Sequence, residues 1–356
     1  MSAPTILAYY LPQFHEITEN NEWWGKGFTE WTALRGSRKY HSFQEIRKPV
    51  EPFFEYSLPS REVMEWQDSI AKEHHIDGFL LWDYWFGDGK TLLTKPKEFI
   101  KDNDLKFSYA LIWANHSWYN KSINKLLIEQ KYLGEEDYTN YFLDCLNHFK
   151  KDEYVKIQNK PVFGIYMPFA VPDLSVFIDV FTSGAKSNGF DGIHWVVDNT
   201  PATIENKKTF NSVISSTAYF KARKSAHPIN FFKEQLIKRL NFNSLGPVVY
   251  SYKKLVSNHE DFSAHESPAI FTGWDTTPRH GKRGTILKDF SVENFQQHLR
   301  NIFAHASTNG CELLVLKSWN EWAEGNTFEP DSIYGYRLLD TFRNSYSKYF
   351  MKGKAV

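Results

Sequence analysis

Short apolar segments of strand length alternate with amphipathic helical segments along almost the whole chain. The predicted strands span residues 5–10, 76–82, 107–113, 161–166, 192–197, 211–216, 269–273 and 312–317. The predicted helices span residues 60–75, 136–149, 174–185, 223–241, 292–306 and 334–346, while the segment 248–255 fits either structure. Alternation of this kind predicts a parallel sheet with helices packed against it.

The end of each predicted strand is followed by polar and aromatic residues, which favours one kind of parallel sheet. Eight such strand and helix units suit a closed (β/α)8 TIM-type barrel, an α/β fold, better than an open doubly wound sheet. No linker rich in Pro or Ser and no change of composition divides the chain. We therefore expect residues 1–356 to form a single catalytic barrel domain with long βα loops.

The segment 313–330 carries the residues best suited to chemistry. An apolar strand leads directly into two carboxylates, Glu321 and Glu324, set among Trp319 and Trp322. Carboxylates three residues apart on a helical turn face the same side, and such a pair can divide into a proton donor and a proton acceptor. A solvated helix start is the simpler alternative, because the helix dipole favours acids in a first turn.

A barrel gathers the carboxyl ends of all its strands at one face, where active sites of this fold lie. The aromatic and polar residues at these ends, together with tryptophans of the loop 20–31, are the candidate substrate contacts. Asp83, Asp198 and Asp275 equally fit turn or cap positions, where Asp is common. The candidates are Tyr10, Trp24, Trp31, Asp83, Trp85, Trp113, Asn115, Asp198, Trp274, Asp275, Arg279, Trp319, Asn320 and Trp322.

Composition narrows the class of partner. The 42 basic and 42 acidic residues balance, and no basic run marks nucleic acid or an anionic membrane as a partner. Aromatic residues make up 17% of the chain, with 12 tryptophans, and amphipathic rings are typical of sugar-binding clefts, although a core rich in Phe is the alternative. A saccharide is therefore the favoured substrate.

Other features predict no cofactor, no metal and no membrane span. The sequence has no phosphate-binding P-loop, no dinucleotide fingerprint and no zinc-type histidine spacing. Cys145 and Cys311 lie in apolar patterns typical of buried thiols. No segment is long and apolar enough to span a bilayer, and residues 1–11 lack the features of a secretory signal, so we expect a cytoplasmic protein.

Several motifs together resemble one family. They are YYLPQFH at 9–15, EWWGKGFTEW at 22–31, DGF at 77–79, YWF at 84–86, WAN at 113–115, KPVF at 160–163, GWDTTPR at 273–279 and WNEWAEG at 319–325. This series resembles the WbsX-type glycosyltransferases of bacterial surface-polysaccharide gene clusters, which are similar to the endo-mannosidases of glycoside hydrolase family 99. The resemblance implies a (β/α)8 barrel.

The resemblance also implies roles for the two carboxylates. Glu321-Trp322-Ala323-Glu324 matches the Glu-Trp-x-Glu motif of the family 99 hydrolases. By that likeness Glu321 is the base toward the sugar 2-hydroxyl, and Glu324 is the acid and then the base at the glycosidic oxygen, through an anhydro-sugar with retention. The chain departs from the related patterns at Ala323, where the hydrolases have His, and at His116, where the WbsX pattern has Glu.

The leading hypothesis is a glycosyltransferase of surface-polysaccharide assembly, for O-antigen of lipopolysaccharide or for capsule, acting through Glu321 and Glu324. Its substrate would be a saccharide, carried as a sugar nucleotide or a lipid-linked glycan. The alternatives are a retaining endo-glycosidase or transglycosidase, and a non-catalytic saccharide-binding barrel. The sequence does not indicate which sugar, linkage or oligomeric state applies.

Overall fold

The computed structural model describes residues 3–120, 123–201, 203–214, 223–240, 245–257 and 262–351. Within these ranges the main sheet contains eight parallel strands, all nearly completely buried. They are β1 (Thr5–Tyr10), β2 (Gly78–Asp83), β3 (Tyr109–Trp113), β4 (Lys160–Ile165), β5 (His194–Val197), β6 (Ser212–Val213), β7 (Ala269–Phe271) and β8 (Leu313–Lys317).

The strand order closes the sheet into a barrel. From β1 to β6 each strand pairs with the next, and β1 also pairs with β8, which in turn pairs with β7. An isolated parallel bridge between Ile214 and Ser267 joins the end of β6 to the segment that leads into β7. Its geometry is fixed by Ser267, whose N–H donates to the Val213 carbonyl at 2.9 Å. The predicted (β/α)8 barrel is thereby confirmed.

Helices surround this barrel and connect its strands. In chain order they are α1 (Thr18–Trp24), α2 (Glu30–Arg35), α3 (Arg61–Glu73), α4 (Lys95–Asp102), α5 (Glu135–Phe149), α6 (Leu174–Ser187), α7 (Ile204–Thr209), α8 (Pro228–Leu240), α9 (Tyr252–Ser257), α10 (Thr277–His280), α11 (Val292–Asn309) and α12 (Arg337–Phe350). In the described part of the chain, 3₁₀ turns include Pro168–Ala170, Gly281–Arg283 and Trp322–Glu324.

Short strand pairs form in the loops between these elements. Trp118–Asn120 pairs with Lys125–Ile128, Lys156–Ile157 with β4, and Asn320–Glu321 with Asn326–Thr327, all antiparallel. Val248–Ser251 pairs in parallel with Thr285–Lys288. The hairpins 118–128 and 320–327 lie in the loops that follow β3 and β8, and both contribute residues to the carboxyl-end side of the barrel.

The structure differs from the predicted elements in several places, and the helices α4, α7 and α10 were not predicted. The segment 20–31, expected as a loop, contains the end of α1 and the start of α2, because Thr29 caps a short helix there with its side chain and that of Thr32. The ambiguous segment 248–255 divides into a strand followed by α9. The predicted sixth strand, 211–216, is shorter, and its last two positions lie outside the described residues.

Most of the aromatic excess lies in the core. Trp113, Trp319 and Trp322 are almost completely buried. Rings from α5, α6 and β4 pack on one another, with Phe177 stacked on Phe181 at 4.4 Å between centroids and Tyr141 edge to face with Phe181 at 5.7 Å. Cys145 and Cys311 are buried free thiols. Among the helices in the described ranges, none has both the length and the apolar character to cross a membrane.

Candidate active site

A cavity of about 640 Å³ opens at the carboxyl ends of the strands, where active sites of barrel enzymes lie. Its floor is formed by residues that end β1, β2 and β8, and its walls come from α1, α2, α10 and the 118–128 hairpin. The lining includes Tyr9, Trp24, Glu30, Trp82, Tyr84, His116, Trp118, Tyr119, Tyr166, Trp274, Arg279, His280, Lys317, Glu321 and Glu324.

The two glutamates reach this cavity because of a tight hairpin after β8. Glu321 ends its first strand, the Trp322–Glu324 turn follows, and Gly325 has a left-handed φ of 63°. A Cβ at Gly325 would lie 3.0 Å from the backbone nitrogen of Asp275, so glycine suits both the conformation and the close approach. Asp275 N–H donates to the Glu324 carbonyl at 2.8 Å and fixes the turn. Glu321 and Glu324 therefore share one face.

Arg279 lies between the two carboxylates. Its Nη1 is 2.6 Å from Glu324 Oε1, and its Nη2 is 3.4 Å from Glu321 Oε2. The same Nη2 lies 2.9 Å and 3.0 Å from the two oxygens of Glu30. One guanidinium thus joins three carboxylates, and the shorter of its contacts with the two catalytic candidates is the one to Glu324.

Glu30 is a site residue that sequence reasoning did not single out. It begins α2, its side chain is 1% exposed, and its Oε1 accepts the Ala323 N–H at 2.7 Å. The carboxylate therefore holds both Arg279 and the backbone between Glu321 and Glu324. The only signal in the sequence was an acid within the aromatic segment 22–31.

The surroundings of Glu321 favour its protonated form. Burial, and then the charge of Glu324, raise the pKa of Glu321 to about 8, while Arg279 and Lys317 oppose the shift and Glu30 reinforces it. Two interacting carboxyls of this kind titrate as a pair. At neutral pH the Glu321 carboxyl therefore keeps its proton most of the time in the free protein.

A second ion pair forms the floor beside Glu321. Lys317 Nζ lies 2.7 Å from Asp198 Oδ2, and the Tyr9 hydroxyl donates to the same oxygen at 2.9 Å. Burial tends to lower the pKa of Lys317, but Asp198 and its neighbours outweigh burial and raise it. The Tyr9 ring stacks on Trp82 at 4.7 Å. This arrangement keeps Lys317 charged and its ammonium fixed.

The structure brings five predicted site residues together at the cavity and places the others behind its wall. Lining the cavity are Trp24, Trp274, Arg279, Glu321 and Glu324. The remaining candidates, apart from Asp275, are buried and do not line it. They are Tyr10, Trp31, Asp83, Trp85, Trp113, Asn115, Asp198, Trp319, Asn320 and Trp322.

The buried candidates contact protein groups rather than the cavity. The Tyr10 hydroxyl donates to the Gln67 side chain, and the Trp31 indole donates to the Tyr56 carbonyl. The Trp85 indole donates to the Asp137 carboxylate, and the Trp113 indole donates to the Trp85 carbonyl. Asn320 brackets the Leu11 backbone with a donor and an acceptor. Asn115 does the same for Met167. These residues position the loops around the cavity, and we do not include them among the proposed substrate contacts.

Asp275 belongs to a neighbouring recess. It accepts hydrogen bonds from Gln44 at 2.6 Å and from the Thr277 hydroxyl at 2.6 Å. Together with Trp274 and Pro278 it lines a recess of about 300 Å³, and these last two residues also line the larger cavity. Trp274 and Pro278 therefore form the partition between the two spaces.

Asp83 lies in a buried charged cluster below the cavity. The Lys97 ammonium is 2.8 Å from both Asp83 and Asp144, and the Tyr141 hydroxyl donates to Asp83 at 2.9 Å. Asp83, Asp144 and Cys145 have the spacing of metal ligands. The Lys97 ammonium already contacts both carboxylates, so the cluster is an internal ion-pair network that joins β2 to α4 and α5.

Glu329 supports the hairpin from below. It is 3% exposed and accepts hydrogen bonds from the Tyr56 hydroxyl at 2.8 Å, the Trp322 indole at 2.9 Å and the Gln67 amide. Burial raises the pKa of Glu329 to about 7, although these donors oppose the shift. Trp322 is thus tied to a buried carboxyl whose protonation changes near neutral pH.

Replacing Glu329 with Gln is expected to flatten the dependence of stability on pH. The folded pKa lies above the unfolded value near 4.5, so the stabilisation from the bound proton is full below that value and is lost as pH rises through about 7. A shift of this size corresponds to about 3 kcal/mol. Urea unfolding at pH 5 and pH 8 measures it. Glu312→Gln, at an exposed carboxylate, should keep the wild-type slope, and an equally steep slope in both variants would contradict the assignment.

The chain matches a family model over almost its whole length. Residues 6–342 match the family model described as Glycosyltransferase WbsX. The chain is 28% identical over 357 residues to WxcX of Xanthomonas campestris pv. campestris strain B100, itself described as uncharacterised, and to its counterpart in strain ATCC 33913. Each alignment covers 97% of this chain and 50% of the relative. The chain therefore spans about half the length of these curated relatives.

Solved structures share the fold. A GH99 endo-alpha-mannosidase from Bacteroides thetaiotaomicron, in complex with BIS-TRIS-propane, has a TM-score of 0.53 at 12% identity, with 99% of each chain covered. A glycoside hydrolase-like protein has a TM-score of 0.56 at 12% identity, covering 97% of this chain and 94% of that one. Because the family match extends over residues 6–342, the chain belongs to the WbsX glycosyltransferase family.

Proposed function

We propose that this chain transfers a glycosyl unit at the 640 Å³ cavity and that Glu321 and Glu324 carry the chemistry. The observation that carries the proposal is the pair itself, bridged by Arg279 at the cavity, with the pKa of Glu321 raised to about 8 by burial and by the charge of Glu324. Cleavage of a glycosidic bond requires one group that gives a proton and one that takes a proton. We propose that Glu321 and Glu324, which face the same cavity, supply the acceptor and the donor.

The proposed steps conserve protons. Glu321 takes the proton of the sugar 2-hydroxyl while that oxygen attacks the anomeric carbon, and Glu324 gives its proton to the departing glycosidic oxygen. The acceptor hydroxyl then opens the anhydro-sugar, giving its proton to Glu324, and Glu321 returns its proton to the 2-oxygen. Two inversions at the anomeric carbon give retention. The raised pKa of Glu321 makes its carboxylate a stronger base than an ordinary glutamate.

These roles use the less populated form of the free pair. In that form the proton is on Glu324 and the charge on Glu321, whereas the free protein keeps the proton mainly on Glu321. Since Arg279 contacts both carboxylates, one proton transfer interconverts the two forms without moving the guanidinium. The pair therefore needs to hold one proton in total, whichever residue carries it at rest.

Charge at the cavity favours a neutral saccharide as donor. Within the described residues its lining holds three carboxylates, two cations and two histidines. Arg279 is already matched by Glu30 and Glu324, and Lys317 by Asp198, all within 3 Å. A pyrophosphate would bring further negative charge beside these acids. This charge balance favours a glycan donor, as in an endo-glycosidase or transglycosidase, over a sugar nucleotide.

Aromatic rings at the cavity fit a saccharide. Trp24, Trp82, Trp118, Tyr119 and Trp274 all contribute to its lining, and rings of this kind stack on sugar faces while their polar edges remain hydrated. The volume exceeds what a single hexose needs, so we propose that both a donor and an acceptor sugar bind there. We propose surface-polysaccharide assembly as the setting, with O-antigen or capsule glycan as substrate and the cytoplasm as the location.

Two incubations test the reaction and its donor. We expect oligosaccharides containing mannose or rhamnose to be cleaved or extended, as read by mass spectrometry, and a panel of sugar nucleotides to give no heat of binding by calorimetry. Turnover with a sugar nucleotide would instead support a glycosyltransferase that uses a sugar nucleotide as its donor. Saccharide binding without any new product, under conditions where the protein is folded, would indicate the non-catalytic binding barrel and contradict the proposal.

A further inference from the structure

Helix α8 carries an apolar stripe on its outer face. Ile229 is 81% exposed, Phe232 is 64% exposed and Leu240 is 51% exposed, while Leu236 between them is partly exposed. Positions i, i+3, i+7 and i+11 of a helix fall on one side. Single exposed apolar residues are common, but a contiguous row along a helix marks a surface that binds something.

The opposite face of α8 already packs against the protein. Glu234 is buried and accepts hydrogen bonds from the Tyr250 hydroxyl at 2.5 Å and from Arg223 at 3.0 Å and 3.1 Å. Ile237 is 1% exposed, and the Asn230 amide donates to the Val249 carbonyl at 2.7 Å. These contacts fix the rotation of the helix, so the apolar stripe is a second face and not a misplaced core face.

Basic residues flank the stripe. Helical geometry places Lys233 on one side of it and Arg239 on the other, and Lys238 lies farther round the helix, paired with Glu234. Glu234 is the only acid from residue 228 to 240, and it is buried. The chain as a whole is neutral, so this helix carries a local positive excess. Spaced along the sequence these cations form no run, which is why composition alone predicted no anionic membrane as a partner.

The stripe lies on an element connected to the rim of the cavity. Helix α8 contacts the Gly281–Arg283 turn. Gly246 lies between them, because a Cβ there would lie 1.8 Å from the Lys282 carbonyl oxygen and 3.4 Å from Ile237 Cδ1 of α8. That turn directly follows α10, whose Arg279 and His280 line the cavity. A surface that binds α8 would therefore lie close to the mouth of the cavity.

We propose that α8 docks the protein on an anionic lipid surface. An amphipathic helix with apolar residues bordered by Lys and Arg lies in the plane of the membrane interface, with its apolar face among the acyl chains and its cations beside lipid phosphates. A protein groove would satisfy the apolar stripe alone, but cations on both borders with no acid among them match an anionic bilayer. Such docking would bring the cavity to a lipid-linked glycan, although the docking itself does not depend on the proposed reaction.

Vesicle sedimentation tests the docking with the intact chain. We expect the protein to sediment with vesicles that mix phosphatidylcholine and phosphatidylglycerol, and at least about tenfold less with phosphatidylcholine alone. Added salt should weaken the binding, because screening reduces attraction between exposed charges. Ile229→Ser with Phe232→Ser, and separately Lys233→Gln with Arg239→Gln, should each lower the partition coefficient about tenfold.

Matched variants and a second measurement decide the result. Phe54→Ser removes an aromatic side chain of similar exposure, 57%, away from α8 and should leave vesicle binding unchanged. Circular dichroism and thermal unfolding establish that the Ser and Gln variants are folded. No sedimentation with phosphatidylglycerol vesicles, or an equal loss in Phe54→Ser, would overturn the proposal. So would size-exclusion elution of the wild type as a dimer and of Ile229→Ser with Phe232→Ser as a monomer, since a second copy would then cover the stripe.

Discussion

Replacing Glu324 with Gln is expected to lower kcat by a hundredfold or more on a glycan donor. Gln is nearly isosteric but carries no transferable proton, so the glycosidic oxygen would depart without protonation. The Arg279 contact, 2.6 Å in the wild type, can be kept by the Gln amide oxygen, so the site should retain its shape. Initial rates of product formation by mass spectrometry, with saccharide affinity measured by calorimetry, separate loss of chemistry from loss of binding.

Two companion variants make this result specific. Glu321→Gln should cause a loss of similar size, because the 2-hydroxyl would have no base, and the double variant should be little worse than either single one if the two carboxylates act as a unit. Glu312→Gln, at an exposed carboxylate before β8, should retain wild-type turnover. Wild-type turnover in Glu324→Gln with an unchanged thermal unfolding midpoint would rule out its proposed role.

The barrel could be predicted because most of its strands and helices leave a local sequence pattern, although the short helices α4 and α7 were not predicted. Seven of the eight predicted strands lie within two residues of the observed bounds at each end, since buried strands of a parallel sheet are apolar throughout. The exception, β6, is a two-residue strand whose predicted extension lies partly outside the described residues. Strand order followed from the fold class, but the Ile214–Ser267 bridge that closes the barrel is a long-range contact with no sequence pattern.

The candidate site was harder to predict, because position after a strand does not tell which way a side chain points. Trp113 and Trp274 both directly follow or end a strand. Trp113 is 1% exposed and stacks on Phe177 at 4.9 Å, whereas Trp274 lines both cavities. Alternate residues of a strand point to opposite sides, and helices supply apolar surface that takes up many rings. Tryptophan content therefore indicated sugar binding less directly than it indicated an aromatic core.

Contacts between residues far apart in the chain could not be predicted from the sequence. Arg279 and Glu30 are 249 residues apart, and neither lies in a pattern that pairs an acid with a base. Glu30 could be read as an ordinary acid at a helix start, favoured there by the dipole. Only the fold shows that its carboxylate reaches across to the Glu321 hairpin, and this contact gives the site its third acid.

Replacing Glu30 with Gln is expected to move the alkaline limb of the pH profile to lower pH and to lower kcat/KM at pH 8 by about tenfold or more. In the wild type Glu321 loses its proton near pH 8, and because the proposed reaction needs that proton, activity should fall above that value. Glu30 is one of the charges that raise the pKa of Glu321, and it also neutralises Arg279. Without its charge, Arg279 favours the ionised form of Glu321, and the pair loses its proton at lower pH.

The position of the alkaline limb distinguishes two roles for Glu30, because a purely structural role would not change it. Gln keeps the size of the side chain, and its amide oxygen can still accept the Ala323 N–H that Glu30 accepts at 2.7 Å. A lower kcat at every pH with an unmoved alkaline limb would mean that Glu30 only holds the hairpin. An alkaline limb that shifts to lower pH in Glu30→Gln but stays at its wild-type position in Glu312→Gln would mean that Glu30 raises the proton affinity of Glu321. Arg279 contacts three carboxylates, and its single positive charge cannot neutralise all three. Glu30 would then act on the reaction through Arg279, without touching the sugar, because it takes up part of the charge that would otherwise favour ionised Glu321.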